Sequence, residues 1–252
     1  MRWIFLRGLV REQRHWGNFL ESFASRMALA PAEICPLDFP GIGSESLRSF
    51  PGTMKDLVAD LRERAQLGAR ERVGLFSMSL GSMCALEWAS TWSSEVAGVV
   101  LVNTSAADIS SIRERLSWGA LKAFAKILKI SDPIERESLI LSLTSNLHSG
   151  DRNLATKWAA FAPLKAELVA LAAQQLWVAA RFRAPPKLEV PALILSSVGD
   201  RLASPQCSTR LARRYGVENH VHLKAGHDII LDDPEWVMRE TLEWRSRFLR
   251  EA

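Results

Sequence analysis

Cysteine is scarce in this chain of 252 residues, which has only Cys35, Cys84 and Cys207. Their number is odd and their spacing is unpaired, so neither a disulfide framework nor a zinc site is indicated. Long apolar runs are also lacking. The run at residues 3–6 is too short for a signal-peptide core, and no later run approaches the roughly 18 residues of a membrane-spanning helix. We therefore expect a soluble, cytoplasmic protein without a membrane span.

Runs of like charge are absent as well, although the chain has 32 Lys and Arg residues against 28 Asp and Glu residues. No five like charges follow one another and no nucleic-acid motif accompanies the basic residues, so nucleic acid is not an expected partner. The sequence also lacks a metal-ligand cluster, a G-x-G-x-x-G turn and a P-loop lysine, and we predict neither a metal nor a cofactor. What is present is an ordinary globular composition, with 48% apolar residues.

A strand, a tight turn and a helix are predicted at residues 73–88. The stretch begins with an apolar run typical of a buried parallel strand, and small and apolar residues then recur at helical spacing. A turn this tight leaves no room for side chains two positions before and after its central residue. Ser77 and Gly81 meet that demand around Ser79. A turn centred on Ser77 would instead place Leu75 at a crowded position, so Ser79 is the predicted nucleophile.

The letters S-M-S-L-G at residues 77–81 resemble the G-x-S-x-G nucleophile elbow of the α/β-hydrolase family, with serine in place of the first glycine. In that family the strand before the first crossover helix ends in a His-Gly-x turn, whose last residue donates a backbone N–H to the oxyanion hole. The letters R-G-L at residues 7–9 stand at that place, with arginine for histidine. The resemblance implies an oxyanion hole formed by the N–H groups of Leu9 and Leu80. An ordinary strand-to-helix turn is the alternative at residues 7–9.

Apolar strands alternate with helices of crossover length in residues 1–106 and 184–252, which predicts an α/β fold with a doubly wound, mainly parallel sheet of about six strands. The resemblance implies a sheet trimmed at its N-terminus, because the family usually has two further strands there. Residues 107–183 show only helical segments. We predict that they form an all-helical cap, or lid, inserted in this core over the carboxyl edge of the sheet, where open α/β sheets bind ligands.

The predicted cap supplies aromatic residues and positive charge. The candidates for a substrate pocket are Trp118, Phe124, Trp158 and Trp177. Packing within the cap is the alternative for most cap aromatics. Residues 107–187 hold twelve Lys and Arg residues against seven Asp and Glu residues, and Lys122, Lys126 and Lys129 should share one helix face. A solvated helix surface explains this charge simply, and a docking surface for an acidic acyl carrier protein is the sharper hypothesis.

Asp200 and His227 each follow a predicted strand, as Ser79 does. Parallel strands end on the same edge of a sheet, so the three side chains should meet there, and the order Ser, Asp, His is that of the α/β-hydrolases. The resemblance implies that His227 takes the serine proton and later returns it to the leaving group, while Asp200 orients the imidazole. Asp108, which follows the neighbouring strand, is the alternative acid.

The remaining histidines and the aspartates beside His227 are weaker candidates. His15 and His148 lie on predicted helices, and His220 and His222 point to one face of a predicted strand. The aspartates that follow the histidine in sequence cannot reach round to orient its ring as easily as a carboxylate from an adjacent strand. They are Asp228, Asp232 and Asp233.

The resemblance implies a serine hydrolase that cleaves carboxylic esters through an acyl-enzyme, with a small ester carrying an apolar acyl group as substrate. By size and cap placement the chain is most similar to carboxylesterases and to pimeloyl-carrier-protein methyl-ester esterases. A serine nucleophile argues against the haloalkane dehalogenase and epoxide hydrolase branches, which attack with aspartate. Two alternatives stay open: a lyase of the same fold that uses the Ser-His pair for proton abstraction, and a ligand-binding protein without turnover.

Overall fold

Six parallel strands form one sheet in the computed structural model, which describes residues 1–248. The strands are β1 (Trp3–Leu6), β2 (Ile34–Leu37), β3 (Val73–Met78), β4 (Val96–Val102), β5 (Ala192–Ser197) and β6 (Glu218–His222). Their order across the sheet is β2-β1-β3-β4-β5-β6, and each neighbouring pair is parallel. The direction of winding reverses between β1 and β3, as in a doubly wound sheet, so the predicted fold class is confirmed.

The α-helices of the described chain flank this sheet or lie between β4 and β5. They are α1 (Phe19–Arg26), α2 (Met54–Ala65), α3 (Leu80–Thr91), α4 (Ile112–Arg115), α5 (Trp118–Ile127), α6 (Pro133–Thr144), α7 (Arg152–Ala159), α8 (Lys165–Arg181), α9 (Gln206–Tyr215), α10 (Ile229–Asp232) and α11 (Pro234–Phe248). The helix predicted from His15 begins only at Phe19, because a short 3₁₀ helix precedes it. Residues 112–129 have a continuous helical pattern in the sequence but form two helices, because Ser117 has an extended backbone and caps α5.

The starts of two helices are set by capping side chains. Thr53 accepts the Asp56 N–H at 3.1 Å at the start of α2, and Asp132 accepts the Ile134 N–H at 2.7 Å at the start of α6. Caps of this kind contribute about 1 kcal/mol each. Among the helices of residues 1–248, none is both long enough and apolar enough to cross a bilayer.

Side chains alternate across the sheet and build one apolar core on each face. On one face Ile4, Leu75 and Leu101 are fully buried together with residues of α2, α3 and α9. On the other, Phe5 and Phe76 pack against α1 and α11, and their own ring centroids are 5.5 Å apart. Each large apolar side chain contributes roughly 1.5–3 kcal/mol when buried. Packing on both faces therefore holds the strands in register and aligns their carboxyl ends.

Five helices, α4 to α8, lie between β4 and β5, and we call residues 112–181 the helical insert. Leu171 and Val178 of α8 join the core of the sheet, whereas α6 and α7 bury a small cluster of their own. Just after α6 the backbone N–H of Asn146 donates to Asp232 at 2.9 Å, and Asp232 also accepts the N–H of Gly226 at 2.6 Å. The insert is thus fastened to the carboxyl edge of the sheet. Its domain boundaries and any movement as a lid stay predictions.

Gly81→Ala is expected to lower the free energy of unfolding by about 3 kcal/mol. A Cβ at this position would lie 2.4 Å from the Leu6 carbonyl oxygen and 2.6 Å from that of Arg7, so β1 and α3 would have to move apart. Urea unfolding measures the loss. Gly52→Ala is the control, because a Cβ there meets no atom within 4 Å. Equal losses in the two variants would contradict this account of the turn.

Candidate active site

Ser79 lies in the turn between β3 and α3, at the carboxyl edge of the sheet. Its φ of +54° and ψ of −115° are strained for a residue with a Cβ, at a cost of about 1–3 kcal/mol. Two hydrogen bonds hold this backbone. The Ser79 N–H donates to the Val102 carbonyl at 2.8 Å, and the Thr104 hydroxyl donates to the Ser79 carbonyl at 3.1 Å. The turn therefore has the strained strand-to-helix geometry of a nucleophile elbow.

Ser77, the other serine of the turn, is fully buried in the sheet. Its hydroxyl donates to the Val100 carbonyl at 2.9 Å, and its own carbonyl accepts the Ser82 hydroxyl at 2.9 Å. These bonds tie β3 to β4 and to the first turn of α3. Ser77 has a structural position, whereas Ser79 lines a cavity.

Asp200 and His227 meet beyond the ends of β5 and β6. Nδ1 of His227 lies 2.7 Å from Oδ2 of Asp200, and the two side chains are only 5% and 2% exposed. The second carboxylate oxygen accepts the backbone N–H groups of Leu202 and Ala203 at 2.7 and 3.0 Å. An ionised carboxylate can only accept, so neutral His227 carries its proton on Nδ1 and keeps Nε2 as an acceptor.

The charge state of His227 is set by competing effects. Burial disfavours the charged imidazole, but the Asp200 carboxylate outweighs the burial and raises the pKa of His227 above the ordinary histidine value. The Asp228 carboxylate raises this pKa further, and the Arg7 guanidinium opposes it. The raised pKa makes the His227 imidazole a stronger proton acceptor, as a general base must be.

Leu9 and Leu80, whose N–H groups are the oxyanion-hole candidates, both line the same cavity as Ser79. The turn after β1 runs directly beside the serine, since a Cβ on Gly8 would lie 3.2 Å from the Ser79 Cβ. Leu80 is the first residue of α3, and an N–H at that position has no partner within its own helix. The partial positive charge of a helix N-terminus also favours an anion at this point.

A cavity of about 310 Å³ lies over Ser79 and His227. Its wall is mostly apolar, and residues of the sheet edge and of the helical insert both contribute to it. The insert supplies Phe124, Ile127, Ile140, Leu143, Leu168 and Leu176. An apolar binding space therefore lies against Ser79 and His227, and His227 in turn contacts Asp200.

Of the four aromatic pocket candidates, Phe124 lines this cavity. For the other three the prediction is corrected, because none of them belongs to the cavity wall in residues 1–248. Trp118 and Trp177 point outward and are 63% and 57% exposed. Trp158 is buried beside His15, with ring centroids 4.9 Å apart. Aromatic composition does not reveal how a helix is rotated about its own axis, and that rotation decides which ring faces inward.

Comparison with known sequences identifies the family of this fold. A sequence model of the Alpha/beta hydrolase family matches residues 3–240. The chain belongs to this family. The family predicted from the sequence is thereby confirmed.

Solved structures share this α/β-hydrolase fold at low sequence identity. An esterase from a Rhodococcus species is 17% identical, with a TM-score of 0.76 over 98% of this chain and 91% of that chain. A meta-cleavage product hydrolase from Pseudomonas fluorescens is 15% identical, with a TM-score of 0.78 over 98% of this chain and 91% of that chain. A search of curated proteins finds no match. Identities this low show the fold alone, so the reaction must be argued from the site.

Asp108, the alternative acid of this α/β-hydrolase, has partners other than the histidine. Its carboxylate accepts the Ala184 N–H at 2.8 Å and forms an ion pair with Arg214. Partial burial disfavours the charged carboxylate, but the hydrogen bonds from Arg214 and Ala184 hold the pKa of Asp108 below its ordinary value. Asp108 thus joins the end of the insert to α9.

His15 also lines the cavity and needs to be weighed against His227. The Arg11 guanidinium lies 2.9 Å from its Nε2 and donates to it. Burial, and then the charges of Arg11 and Arg7, hold the pKa of His15 well below the ordinary value. The ring is therefore neutral with its basic nitrogen occupied. The other histidines lie outside the cavity wall and each faces a carboxylate: His148, His220 and His222.

A buried ion pair between Arg7 and Asp228 joins the turn after β1 to the loop after β6. Nη2 of Arg7 lies 2.6 Å from Oδ2 of Asp228, and the side chains are only 3% and 7% exposed. The guanidinium also lies over the Trp16 ring, 4.8 Å from its centroid. From the sequence, Arg7 was interpreted only as a replacement for histidine in the turn after β1. An arginine at the end of a buried strand requires a buried carboxylate, and that requirement could have indicated the pair.

Asn103 follows β4 at the same edge of the sheet and was not predicted as a site residue. Its φ is +44°. Its amide nitrogen donates to the His227 carbonyl at 2.7 Å, and its amide oxygen accepts the Ser197 N–H at 3.1 Å. Asn103 thus joins the end of β5 to the histidine loop. Asparagine tolerates a positive φ better than most residues, so an asparagine directly after a strand was an available signal.

Proposed function

We propose that this α/β-hydrolase is a serine hydrolase that cleaves carboxylic esters through an acyl-enzyme formed on Ser79. The observation that carries the proposal is the hydrogen bond of 2.7 Å between His227 and Asp200, together with the strained turn at Ser79, which lines the same cavity as His227. A serine hydroxyl is a poor nucleophile at neutral pH and needs a base held in the correct tautomer. Asp200 supplies that orientation.

Each proton in the proposed mechanism has a defined acceptor. Nε2 of His227 takes the hydroxyl proton as the Ser79 oxygen attacks the ester carbonyl, and the Asp200 carboxylate stabilises the imidazolium that results. The carbonyl oxygen becomes an oxyanion, which accepts the N–H groups of Leu80 and Leu9. The imidazolium then protonates the departing alkoxide. In the second half, Nε2 of His227 takes a proton from a water that attacks the acyl carbon and returns it to the Ser79 oxygen as the acyl–serine bond breaks and the carboxylic acid leaves. Losing one oxyanion donor typically costs roughly 10²–10³-fold in rate.

The apolar wall supports an apolar acyl group as the bound part of the substrate. A volume of about 310 Å³ is at the small end of ligand pockets, which span roughly 300–1,000 Å³. Phe124 and Leu168 are among the side chains that would contact the acyl chain. A small ester fits this space better than a bulky one. That the acyl group arrives on an acidic carrier protein stays a prediction.

Active-site labelling and ester hydrolysis together test the proposal. We expect a fluorophosphonate to label Ser79, as located by peptide mapping, and p-nitrophenyl butyrate to be hydrolysed with an initial burst that reports the acyl-enzyme. Label on another residue would contradict the assignment of the nucleophile. A labelled Ser79 without turnover of any ester in a panel of chain lengths would instead favour the lyase, because a ligand-binding protein without an activated serine is not expected to react with the label.

The ester kcat/KM is expected to fall at acid pH, because protonated His227 cannot accept the serine proton. The pKa of His227 is raised, so the apparent pKa of this fall should lie above about 6.5, the ordinary histidine value. Asp228→Asn should move the fall to lower pH. The variant removes a carboxylate that raises the pKa of His227 and leaves the Arg7 charge, which lowers it, unpaired. The pH profile for p-nitrophenyl butyrate measures the shift.

Glu137→Gln is the matched control for Asp228→Asn. It also breaks an ion pair at the cavity wall, since Oε2 of Glu137 lies 2.8 Å from Nη1 of Arg11. Asp228→Asn should lose about 3 kcal/mol or more of unfolding free energy, because it leaves the buried Arg7 unpaired, and Glu137→Gln should lose less, because Arg11 is only partly buried. Only Asp228→Asn should shift the pH profile. An equal shift in both variants, or none in either, would contradict the electrostatic account of His227.

A further inference from the structure

Helix α5 has two contrasting faces. Its inner face is packed into the molecule: Ala120 and Ile127 are buried, and Phe124 lines the cavity. The outward side chains of α5 and of the two residues that follow it are Trp118, Leu121, Lys122, Lys126, Leu128 and Lys129, which we call the α5 outer face. Leu121 and Leu128 are 42% and 49% exposed. Single exposed apolar residues are normal on a protein surface, but here three large apolar residues and three lysines lie within twelve residues.

The neighbouring segments continue the same composition. Ile112 of α4 is 63% exposed, and the Arg113 guanidinium lies 5.8 Å from the Trp118 ring centroid. Arg115 donates to the Ala180 carbonyl at 3.0 Å, which joins α4 to the last turn of α8. At that end of α8 the guanidinium of Arg181 lies over the ring of the exposed Trp177. Tryptophan and cationic side chains therefore recur across this end of the helical insert.

Positive charge on this surface is not neutralised by acidic neighbours in the same stretch. Residues 112–130 contain five basic residues and one acidic residue, Glu114. That carboxylate forms a paired contact with Arg210, at 2.6 and 2.8 Å, and Arg210 is the first of the hydrogen-bond partners that lower the pKa of Glu114 to about 2. Lys122, Lys126 and Lys129 form no ion pair with a carboxylate of residues 1–248, and together they make a cationic row on this surface.

We propose that the α5 outer face docks this protein on an anionic lipid bilayer. A helix lies in the plane of a membrane interface when one face carries Trp and Leu among Lys and Arg, because the rings and aliphatic side chains enter the headgroup region. The lysines reach back from that depth to the phosphates with their long aliphatic stems. The anionic lipid headgroups supply the negative charge that neutralises these lysines. The docking itself does not rest on the proposed ester hydrolysis.

The position of the cavity fits this orientation. Ile112 lines the cavity and is also 63% exposed, so the cavity reaches the surface beside α4. Phe124 and Ile127 line the cavity from the inner face of α5. Docking would therefore bring the cavity opening to the bilayer, with one helix separating the lipid from the apolar binding space.

Co-sedimentation with phospholipid vesicles tests the proposal. We expect the full chain to sediment with vesicles of equal parts phosphatidylglycerol and phosphatidylcholine, and not with pure phosphatidylcholine. Raising the salt from about 0.02 M to about 0.3 M should weaken the binding, because the Debye length shortens. Replacing Lys122, Lys126 and Lys129 by glutamate should lower the vesicle partition coefficient at least about tenfold.

Two matched controls test whether the effect on binding depends on where the substitutions lie or only on the change in total charge or hydrophobicity. Replacing Arg70, Lys187 and Arg213 by glutamate changes the net charge equally, but these exposed residues lie at the amino edge of the sheet and should leave binding within about twofold. Trp118→Ser with Leu121→Ser should weaken binding, whereas Leu47→Ser with Leu223→Ser, at two fully or largely exposed leucines elsewhere, should not. Turnover of p-nitrophenyl butyrate in solution should stay unchanged in all four variants.

Several outcomes would overturn the docking surface. The first is that the protein does not sediment with anionic vesicles at low salt. The second is that vesicle binding is unchanged by the lysine substitutions, and the third is that binding falls equally when Arg70, Lys187 and Arg213 are replaced. If an acidic acyl carrier protein bound in a lysine-dependent way while anionic vesicles did not, the face would belong to a protein partner instead. Vesicle binding by Ser79→Ala is measured in parallel. Failure of docking is thus distinguishable from failure of the proposed hydrolysis.

Discussion

Ser79→Ala is expected to abolish ester hydrolysis, with a loss in kcat of roughly 10⁴-fold or more, while the protein stays folded. The reason for the loss is chemical, because the serine oxygen forms the acyl-enzyme in the proposed mechanism. The reason for the retained fold is geometric. Alanine keeps the Cβ, so the strain at φ +54° is the same in both proteins. Turnover of p-nitrophenyl butyrate and the thermal midpoint measure the two effects.

Ser77→Ala is the control for this substitution, because it removes a hydroxyl from the same turn. That hydroxyl donates to the Val100 carbonyl at 2.9 Å within the sheet. We expect the variant to retain most of its activity and to lose about 1 kcal/mol of unfolding free energy. An inactive Ser77→Ala beside an active Ser79→Ala would show that the register assigned to the elbow is wrong.

Asp200→Asn is expected to lower kcat by roughly 10⁴-fold. The amide oxygen can still accept the N–H groups of Leu202 and Ala203, so the loop should keep its shape. The amide nitrogen, however, is a donor where the carboxylate was an acceptor. It therefore favours the His227 tautomer with the proton on Nε2, which cannot take a proton from Ser79. The kcat for p-nitrophenyl butyrate measures the loss.

Double variants test whether Asp200, His227 and Ser79 act as a unit. His227→Ala combined with Ser79→Ala should be no less active than Ser79→Ala alone, because losses within a triad do not add. Asp108→Asn is the control for the acid, since that carboxylate pairs with Arg214 and not with the histidine. It should keep activity within about tenfold. An inactive Asp108→Asn beside an active Asp200→Asn would transfer the role of the acid to the loop after β4.

The fold does not choose among the reactions of its relatives. Solved structures with high similarity to this chain carry the names esterase and meta-cleavage product hydrolase, and these names describe cleavage of different bonds. A shared fold hosts many chemistries, which depend on the groups placed around the nucleophile. The ester panel and the labelling of Ser79 are therefore the measurements that separate the candidate reactions here.

The sequence alone was enough to predict the fold class and the family, because both depend on local patterns. Buried parallel strands appear as apolar runs, and the strand-to-helix turn at residues 77–81 imposes small residues on both sides of its centre. The same alternation placed Asp200 and His227 in loops at one edge of the sheet. These two side chains touch because β5 and β6 are neighbours in the sheet. The order of the strands along the chain suggests that neighbouring position, and the observed order across the sheet shows it.

The tertiary structure decided which distant residues meet and which face of each helix points inward. Arg7 and Asp228 are 221 positions apart in sequence and form a buried pair, and no local pattern links them. Ser117 interrupts a continuous helical pattern, and the resulting rotation of α5 turns Phe124 toward the cavity and Trp118 toward solvent. The spacing of the apolar residues in the sequence indicates which type of element they form. The docking angles between elements depend on packing summed over the whole core, and those angles determine the lining of the cavity.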